Sequence, residues 1–140
     1  MSAALDLAAV QRATSEGTIL KAHCAQCGAE QVLPAPSCLR CGSQELTVSR
    51  HGGDGSLFSW SVTGTAFEPE VADEVPYIVA VILLSGGAKL WCRLVGMEPD
   101  SPMLRADLPV QLDETLTRQR GYVVFRPRDG AGISTASEKR

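Results

Sequence analysis

The chain has 140 residues, 44% of them hydrophobic, and a formal net charge of −3 at pH 7. Its longest apolar run, residues 77–84, is far shorter than the roughly 20 residues of a membrane-spanning helix, so no such helix is predicted. The negative charge disfavours a general role in nucleic-acid binding, which depends on clustered Lys and Arg. Because the N-terminus lacks a basic stretch followed by an apolar one, a cytoplasmic location is expected.

The first predicted element is a short helix over residues 5–12, within an N-terminal segment of residues 1–17. Leu5, Ala8, Ala9 and Arg12 fall on one stripe of this helix. An isolated helix of this length is only marginally stable in water, so it must pack on another surface. The sequence leaves open whether that surface belongs to the same domain or to a partner protein.

A metal-binding module is predicted over residues 18–50. The chain contains two C-x-x-C-G repeats, Cys24-Ala25-Gln26-Cys27-Gly28 and Cys38-Leu39-Arg40-Cys41-Gly42, and ten residues separate the two cysteine pairs. Strands are predicted around them at residues 19–23, 31–33 and 45–49. Each glycine is expected to take a positive φ, which completes the tight turn of a metal knuckle without steric cost. This arrangement is typical of a zinc ribbon with rubredoxin-like spacing.

Four thiolates at this spacing can surround one metal ion, so Cys24, Cys27, Cys38 and Cys41 are the predicted ligands of a structural Zn²⁺. A module of about thirty residues is too small for a sufficient apolar core, so the metal is expected to supply folding energy. Iron is the alternative metal, and the lack of an aromatic residue between His23 and Cys41 favours zinc. Two disulfides fit less well, because cytosolic thiols stay reduced. Four thiolates and one divalent ion would bring the formal charge to −5.

A small β-barrel is predicted over residues 51–128, followed by a polar tail over residues 129–140. The glycine-rich joint at residues 51–55 is predicted to be a turn and not a phosphate-binding loop, because no helix signature follows it. Five strands are predicted after it, at residues 56–65, 77–84, 88–95, 108–116 and 121–125. Ser85-Gly86-Gly87 is predicted to form a hairpin turn, and no helix is predicted among the strands. The predicted fold is mainly β: a short N-terminal helix, a rubredoxin-like zinc ribbon, then a five-stranded OB-fold barrel.

No catalytic group is predicted on this chain. Cys92 lies in a strand pattern on the same face as Leu90 and Leu94, which indicates a buried, inert thiol. His23 precedes a metal ligand, and His51 lies in the glycine-rich joint without an evident carboxylate partner. Local sequence supports no Ser-His-Asp or Cys-His arrangement, so the chain by itself is not expected to be an enzyme.

Several motifs together resemble those of one protein family. The two cysteine knuckles enclose Pro34-x-Pro36, and the second is followed by Ser43. Residues 55–62, GSLFSWSV, and residues 75–81, VPYIVAV, are similar to two strand signatures of the small acyl-CoA-associated proteins called the domain-of-unknown-function-35 family. Leu94-Val95-Gly96 and residues 123–127, VVFRP, match its later signatures. The resemblance extends over roughly residues 5–128, with one departure at residues 107–110, DLPV, where the family usually has G-x-P-V.

The resemblance implies an accessory subunit. Members of this family typically bind thiolase-like enzymes, and sometimes hydratases of the hot-dog fold, and they shape or cover the partner's acyl-CoA site. For this chain the resemblance implies a non-catalytic, zinc-binding subunit in an α2β2 heterotetramer with a thiolase-like protein, which carries out thiolysis, aldol-type cleavage or acyl transfer. An accessory subunit of a hot-dog-fold acyl-CoA hydratase is the alternative.

Candidate contacts for a coenzyme A thioester, shared with the partner, come from two regions. Arginine binds phosphate through paired donors, and coenzyme A carries three phosphate groups, so a dense basic region at residues 118–128 is one candidate. The other is Phe67, at the base of an acidic loop at residues 68–74. The predicted contacts are Phe67, Arg118, Arg120 and Arg126. The alternatives are a solvated acidic loop and an exposed strand pair whose arginines extend into water.

A single-stranded nucleic-acid-binding module is the alternative from a different functional class, since zinc ribbons and OB barrels both serve that purpose. A stacking platform needs exposed aromatic residues beside basic ones. The chain has seven aromatic residues, and most of them occupy positions that alternate into the predicted core. Together with the acidic balance, this pattern disfavours nucleic-acid binding.

Overall fold

The computed structural model describes residues 7–64 and 75–128, whose strands form a three-stranded sheet and a closed five-stranded barrel. The predicted fold class is therefore confirmed. In chain order the elements are α1 (Leu7–Ser15), β1 (Ile19–Cys24), β2 (Glu30–Val32), β3 (Leu46–His51), β4 (Asp54–Thr63), β5 (Tyr77–Leu84), β6 (Lys89–Leu94), β7 (Pro109–Leu112), α2 (Glu114–Arg120) and β8 (Val124–Pro127).

The three-stranded sheet forms the ribbon, in the order β2-β1-β3 with both neighbours antiparallel to β1. Its buried apolar cluster consists of Ala22, Leu33 and Ala35, with partly buried aliphatic side chains around them. Such a small cluster removes little apolar surface from water and cannot stabilise a module of this size by itself. The ribbon therefore depends on other sources of stability, as expected from its sequence.

Helix α1 extends three residues past the predicted end at residue 12, and residues 5 and 6 of the prediction lie outside the described part of the chain. Its buried residues are Ala9, Ala13 and Thr14, and it contacts β1 and α2. Leu7, by contrast, is 56% exposed. The helix thus packs on its own chain through Ala9 of the predicted stripe and presents Leu7 to solvent.

The five remaining strands close into a barrel in the order β4-β5-β6-β8-β7, the arrangement of an OB-fold. All neighbours are antiparallel except β6 and β8, which are parallel. Side chains alternate strictly along β5, where Ile78, Ala80, Ile82 and Leu84 point into the core. Phe125 of β8 is fully buried and fills the same core.

A helix replaces the second half of the fourth predicted barrel strand, so the expectation of no helix among the strands is wrong. Strand β7 ends at Leu112, and Asp113 Oδ1 then accepts a hydrogen bond of 2.9 Å from the backbone N–H of Leu116. This contact is an N-cap, and it starts α2. At the other end Gly121 has φ +79°, and its N–H bonds to Thr117 O at 3.0 Å. The last strand begins only after this cap, which shifts it from residues 121–125 to Val124–Pro127.

The aromatic side chains lie mainly on the surface, which contradicts the expectation that most of them alternate into the core. Of those in the described residues, only Phe125 belongs to the core cluster. The exposed fractions of Trp91, Phe58, Trp60 and Tyr122 are 73%, 50%, 37% and 36%, and Tyr77 is half-buried.

On β4 this exposure has a topological cause. The strand pairs with β7 only at Asp54–Ser56, and a bulge shifts its register to β5 between Leu57 and Ser59. Beyond the bulge, β5 is the only strand in the described chain that pairs with it. Trp60 and Val62 therefore face the inner side of the sheet but lie beyond the closed part of the barrel.

Candidate metal centre and surface cleft

The four predicted ligand cysteines come together at one end of the ribbon sheet. Their Sγ atoms all lie within 4.8 Å of one another. Cys24 Sγ and Cys41 Sγ are 3.6 Å apart, and Cys27 Sγ and Cys38 Sγ are 3.7 Å apart. Sulfurs about 2.3 Å from a tetrahedral zinc ion lie roughly 3.8 Å from each other, whereas the sulfurs of a disulfide are about 2.05 Å apart. The donor set therefore fits one tetrahedral metal ion.

Backbone donors point at these sulfurs. The N–H of Cys27 lies 3.5 Å from Cys24 Sγ, and the N–H of Arg40 lies 3.4 Å from Cys38 Sγ. Such contacts spread the negative charge of a thiolate and hold the ligand in place.

Glycine closes both knuckles in the same way. Gly28 N–H donates to Cys24 O, and Gly42 N–H donates to Cys38 O, each at 2.9 Å. The φ angles are +81° and +82°, and a Cβ at either position would meet open space. The expectation of positive φ is confirmed, and glycine is required for its backbone conformation and not for space.

The charges of the sulfurs also need a cation. Backbone N–H groups, that of Cys41 foremost, lower the pKa of Cys38 to about 6. The N–H of Cys27 similarly lowers the pKa of Cys24. An N–H from Ser43 acts to lower the pKa of Cys41, but burial and the three other sulfurs outweigh it and raise that pKa to about 12. Four thiolates therefore coexist only around a positive ion, and a divalent metal supplies that charge.

Gln31 holds the second knuckle, a role that the sequence did not reveal. Its side chain is buried in β2, and Nε2 donates to Ser37 O at 3.1 Å. Its Oε1 accepts from the backbone N–H of Leu39 at 2.9 Å. One side chain thus fixes the backbone on both sides of Cys38. In the sequence, only the position of a Gln in the short strand before the second C-x-x-C turn could have indicated this role.

Cys92 lies where the strand pattern predicts, on the inward face of β6 with Leu90 and Leu94. Burial raises the pKa of its thiol to about 12, although an N–H from Phe125 acts in the opposite direction. The thiol is neutral near pH 7, and a neutral thiol in apolar surroundings is a weak nucleophile.

The hydroxyl of Ser85 links the imidazole of His51 to the carboxylate of Asp54. The imidazole is buried, with Nδ1 accepting from Gly53 N–H at 2.8 Å and Nε2 lying 2.7 Å from Ser85 O. Ser85 Oγ is 3.2 Å from Nε2 and donates to Asp54 Oδ1 at 3.0 Å. The hydroxyl lies between the imidazole and the carboxylate, so the carboxylate does not orient the imidazole as in a hydrolase triad. His51 instead joins the end of β3 to the β5–β6 turn.

Three of the four predicted coenzyme contacts lie in the described part of the chain, two on α2 and one on β8. Phe67 lies outside the described residues. Arg126 Nε is 2.8 Å from Asp113 Oδ2, the carboxylate that also caps α2. Arg118 and Arg120 lie on α2 and not on an exposed strand pair. Arg120 Nη1 donates to the hydroxyl of Tyr122 at 3.0 Å, which places it at the rim of a cleft.

This cleft, of about 330 Å³, opens on the outer side of β5 and β6. Tyr77, Val79, Trp91, Cys92, Arg93, Tyr122 and Val123 line it. The guanidinium of Arg93 lies 3.9 Å from the centre of the Tyr77 ring, and its Nη1 donates to the Tyr122 hydroxyl at 3.2 Å. Tyr122 therefore receives bonds from two guanidinium groups, those of Arg93 and Arg120. Aromatic rings and positive charges thus lie side by side in the cleft.

Two family models match the chain. Residues 12–47 match the "ChsH2, rubredoxin-like zinc ribbon domain". Residues 49–113 match the "ChsH2, C-terminal OB-fold domain".

Solved structures resemble the chain over most of its length. A chain described as "Ltp2-ChsH2(DUF35) aldolase" is 32% identical, with a TM-score of 0.67 over 87% of this chain and 94% of that one. A protein of unknown function from the DUF35 family of Sulfolobus solfataricus is 12% identical, with a TM-score of 0.58 over 86% of this chain and 84% of that one. The second similarity establishes a shared fold.

Curated relatives match over shorter stretches. A "Probable enoyl-CoA hydratase alpha subunit" from Thermomonospora curvata is 35% identical over 91 residues, which are 65% of this chain and 27% of that protein. A "DUF35 domain-containing scaffold protein" from Methanothermobacter thermautotrophicus is 35% identical over 82 residues, 56% of this chain and 59% of that protein. The chain thus spans less than two thirds of the length of either. Among the described residues no helix is both long and apolar enough to cross a bilayer.

Proposed function

Because this chain belongs to the DUF35 family, we propose that it is a non-catalytic, zinc-binding accessory subunit of a thiolase-type acyl-CoA enzyme. The observation that carries the proposal is its similarity, across 94% of that chain, to the structure described as "Ltp2-ChsH2(DUF35) aldolase". The family resemblance of the sequence adds thiolase-like enzymes as the typical partners. The proposed assembly is an α2β2 heterotetramer.

In this role the metal is structural. Cys24, Cys27, Cys38 and Cys41 would occupy all four positions of a tetrahedral zinc ion, which leaves none for water or a substrate. The chemistry that the ion supplies is the binding energy that folds the ribbon. The ribbon's own residues then hold a rigid surface beside the barrel.

Large exposed apolar side chains support a role in assembly. Leu39, at the tip of the second knuckle, is 77% exposed, and Leu7, at the start of α1, is 56% exposed. Interface centres are enriched in apolar side chains that fill pockets of the partner. We propose that Leu39 and Leu7 lie in the contact with the thiolase-like subunit.

Co-expression with a thiolase-like protein tests the proposal, with size-exclusion chromatography and light scattering as the readout. The expected mass is that of two copies of each chain. Leu39→Asp and Leu7→Asp should prevent assembly while leaving the melting temperature of the isolated chain unchanged, because both side chains are exposed. Gln44→Asp, at another exposed position of the ribbon, is the matched control. A partner that is fully active and elutes alone would contradict the proposal.

The coenzyme A thioester is proposed to be shared between the two subunits. Arg120, at the rim of the cleft, is the best-supported phosphate contact, and Arg118 follows it on the same helix. Arg126 has weaker support because its Nε is bonded to Asp113. Phe67 stays a proposed contact from sequence. In the assembled enzyme, Arg120→Gln is expected to raise the KM for acyl-CoA with little change in kcat.

A hydratase complex is the second candidate. It is favoured by the 35% identity of 91 residues to part of the "Probable enoyl-CoA hydratase alpha subunit". Co-expression with a hot-dog-fold hydratase, in competition with the thiolase-like protein, distinguishes the two partners. Hydratase activity that requires this chain would replace the thiolase proposal.

A further inference from the structure

The outer half of β4, residues 59–63, lies at an edge of the barrel sheet. Strand β7 pairs with β4 only at residues 54–56, and the backbone just before β7 adds two hydrogen bonds at Leu57. Beyond that point, β5 is the only strand in the described parts of the chain that pairs with β4. On the side away from β5, the backbone N–H and C=O groups of residues 59–63 thus bond to no described strand. Such an edge can pair with the strand of another molecule.

The bulge in β4 determines which residues face this free edge. The N–H and the C=O of Leu57 both bond to the segment before β7, each at 2.8 Å, so they point away from β5. The bulge that follows inserts one residue and reverses the alternation, since Ser59 lies opposite the next residue of β5. Bonds to β5 therefore resume at Ser59 and alternate from there, and Trp60 and Val62 point their N–H and C=O groups to the free edge.

The side chains at this edge are apolar or uncharged. Natural edge strands often carry charged residues or Pro, which hinder pairing with other strands. Residues 59–63, SWSVT, contain neither. Trp60 and Val62 are 37% and 47% exposed, although they lie on the inner side of the sheet. A strand that paired along this edge would bond to the free backbone groups and shield both side chains from water.

The sequence of the edge is complementary to itself. When two copies pair antiparallel about a two-fold axis at Ser61, Trp60 lies opposite the second copy's Val62. Both residues point their backbone groups to the edge, so each such pair exchanges two hydrogen bonds. The side chains form two pairs of an aromatic and a β-branched residue, a combination that stabilises antiparallel strands. Within residues 59–63, only this register pairs both edge-facing residues of each copy.

We propose that the free edge of β4 is a homodimer contact, in which two copies of the chain pair antiparallel at residues 59–63 about Ser61. Pairing closes the free edge of both copies, so the assembly stops at two. Stable interfaces bury about 1,200–2,000 Å², and two strands of this length bury less. The dimer is therefore weak and exchanges with the monomer. This contact goes beyond the proposed accessory role and does not depend on it, since Leu39 and Leu7 lie in the ribbon and α1.

Sedimentation velocity of the isolated, zinc-loaded chain, from micromolar to millimolar concentration, tests this proposal. The weight-average mass should rise from 14.9 kDa toward twice that value. Ser61→Lys and Ser61→Glu should each raise the Kd of the dimer about two- to fivefold or more, because like charges would face each other across the axis. An equimolar mixture of these two variants should form a heterodimer at least as tight as the wild-type dimer. Ser49→Lys, at an exposed position of β3, is the matched control and should leave the Kd unchanged.

Amide hydrogen exchange of the wild-type chain gives a second readout that needs no variant. The N–H groups of Trp60 and Val62 should exchange rapidly in dilute solution and slowly in concentrated solution. The N–H of Ser61, which points to β5, should change little.

Four results would overturn the proposal. The first two are a monomer at every concentration and a dimer whose Kd the Ser61 variants leave unchanged. The third is slow exchange of Trp60 and Val62 at every dilution, which would mean that another segment of the chain covers the edge. The fourth is slow exchange that appears only when a thiolase-like subunit is added. A chain that dimerises as expected but never assembles with a thiolase-like protein contradicts only the proposed function.

Discussion

Replacing Gln31 with Met should weaken zinc binding although Gln31 is not a ligand. The substitution keeps the volume of the side chain and removes both of its hydrogen bonds, to Ser37 O at 3.1 Å and from Leu39 N–H at 2.9 Å. Each such bond contributes about 1 kcal/mol, and a partly buried backbone group left without a partner costs about 1–3 kcal/mol. The expected loss is therefore about 2–3 kcal/mol.

This loss should appear in the zinc affinity because metal binding and folding of a small ribbon are one process. At about 1.4 kcal/mol per factor of ten, the apparent Kd for zinc should rise about 30- to 100-fold. Competition with a chromophoric chelator at constant pH measures this value. Gln44→Met, at an exposed position of the ribbon, is the control and should match the wild type. If Gln31→Met also binds zinc as tightly as the wild type, the second knuckle does not depend on this side chain.

Three further substitutions test other parts of the fold. Cys38→Ser should abolish stoichiometric zinc binding, measured by elemental analysis, because it removes one of four thiolates from a site worth of order 10 kcal/mol. Gly86→Ala should destabilise the chain to urea by about 1–3 kcal/mol, since φ is +100° and a Cβ would lie 2.5 Å from a carboxylate oxygen of β2, whereas Gly52→Ala should be nearly neutral. Asp113→Ala should cost about 1–2 kcal/mol, because it removes the cap of α2 and the partner of Arg126. Burial acts to raise the pKa of Asp113, but α2 N–H groups and Arg126 lower it, so its contribution should be present above the ordinary pKa of 3.8 and disappear as the pH falls through the lowered value.

The metal site could be predicted from the sequence because its determinants are local. Each knuckle contains its two ligands and its glycine within five residues, so spacing alone defines the turn. The inward positions of β5 could be predicted for a similar reason, since alternation follows directly from the geometry of a strand. Both kinds of feature depend on neighbours in the chain and on little else.

The missed helix α2 had a local signal that the strand pattern obscured. Asp113 followed by Glu114 is typical of a helix start, and Gly121 directly after Arg120 is typical of a helix end. The predicted strand continues to residue 116, but the alternation of buried side chains ends at Leu112, and residue 116 belongs to α2. In this segment the capping residues indicate the helix better than the hydrophobic periodicity does.

The exposure of the aromatic residues had no local signal. Phe58 and Trp60 continue the apolar pattern of β4. Phe58 lies in the bulge between Leu57 and Ser59, and the exposure of Trp60 follows from how far β7 extends along that strand. The length of a neighbouring strand more than forty residues away is a property of the closed barrel. The argument against nucleic-acid binding used two premises, buried aromatic residues and an acidic charge balance. The structure removes the first, because these aromatic side chains are exposed, and leaves the second.

Contacts between the ribbon and the barrel predict that removing the metal destabilises both. Ile19 of β1 is 5% exposed and belongs to the barrel's core cluster. His51 of β3 is bonded to Ser85 in the β5–β6 turn. If the ribbon unfolds without zinc, the barrel loses one buried aliphatic side chain, worth about 1.5–3 kcal/mol, and at least one buried hydrogen bond, worth about 1 kcal/mol. Hydrogen exchange before and after chelation should therefore show lower protection for the amides of β5 and β6, and unchanged protection there would mean that the barrel is stable without the ribbon.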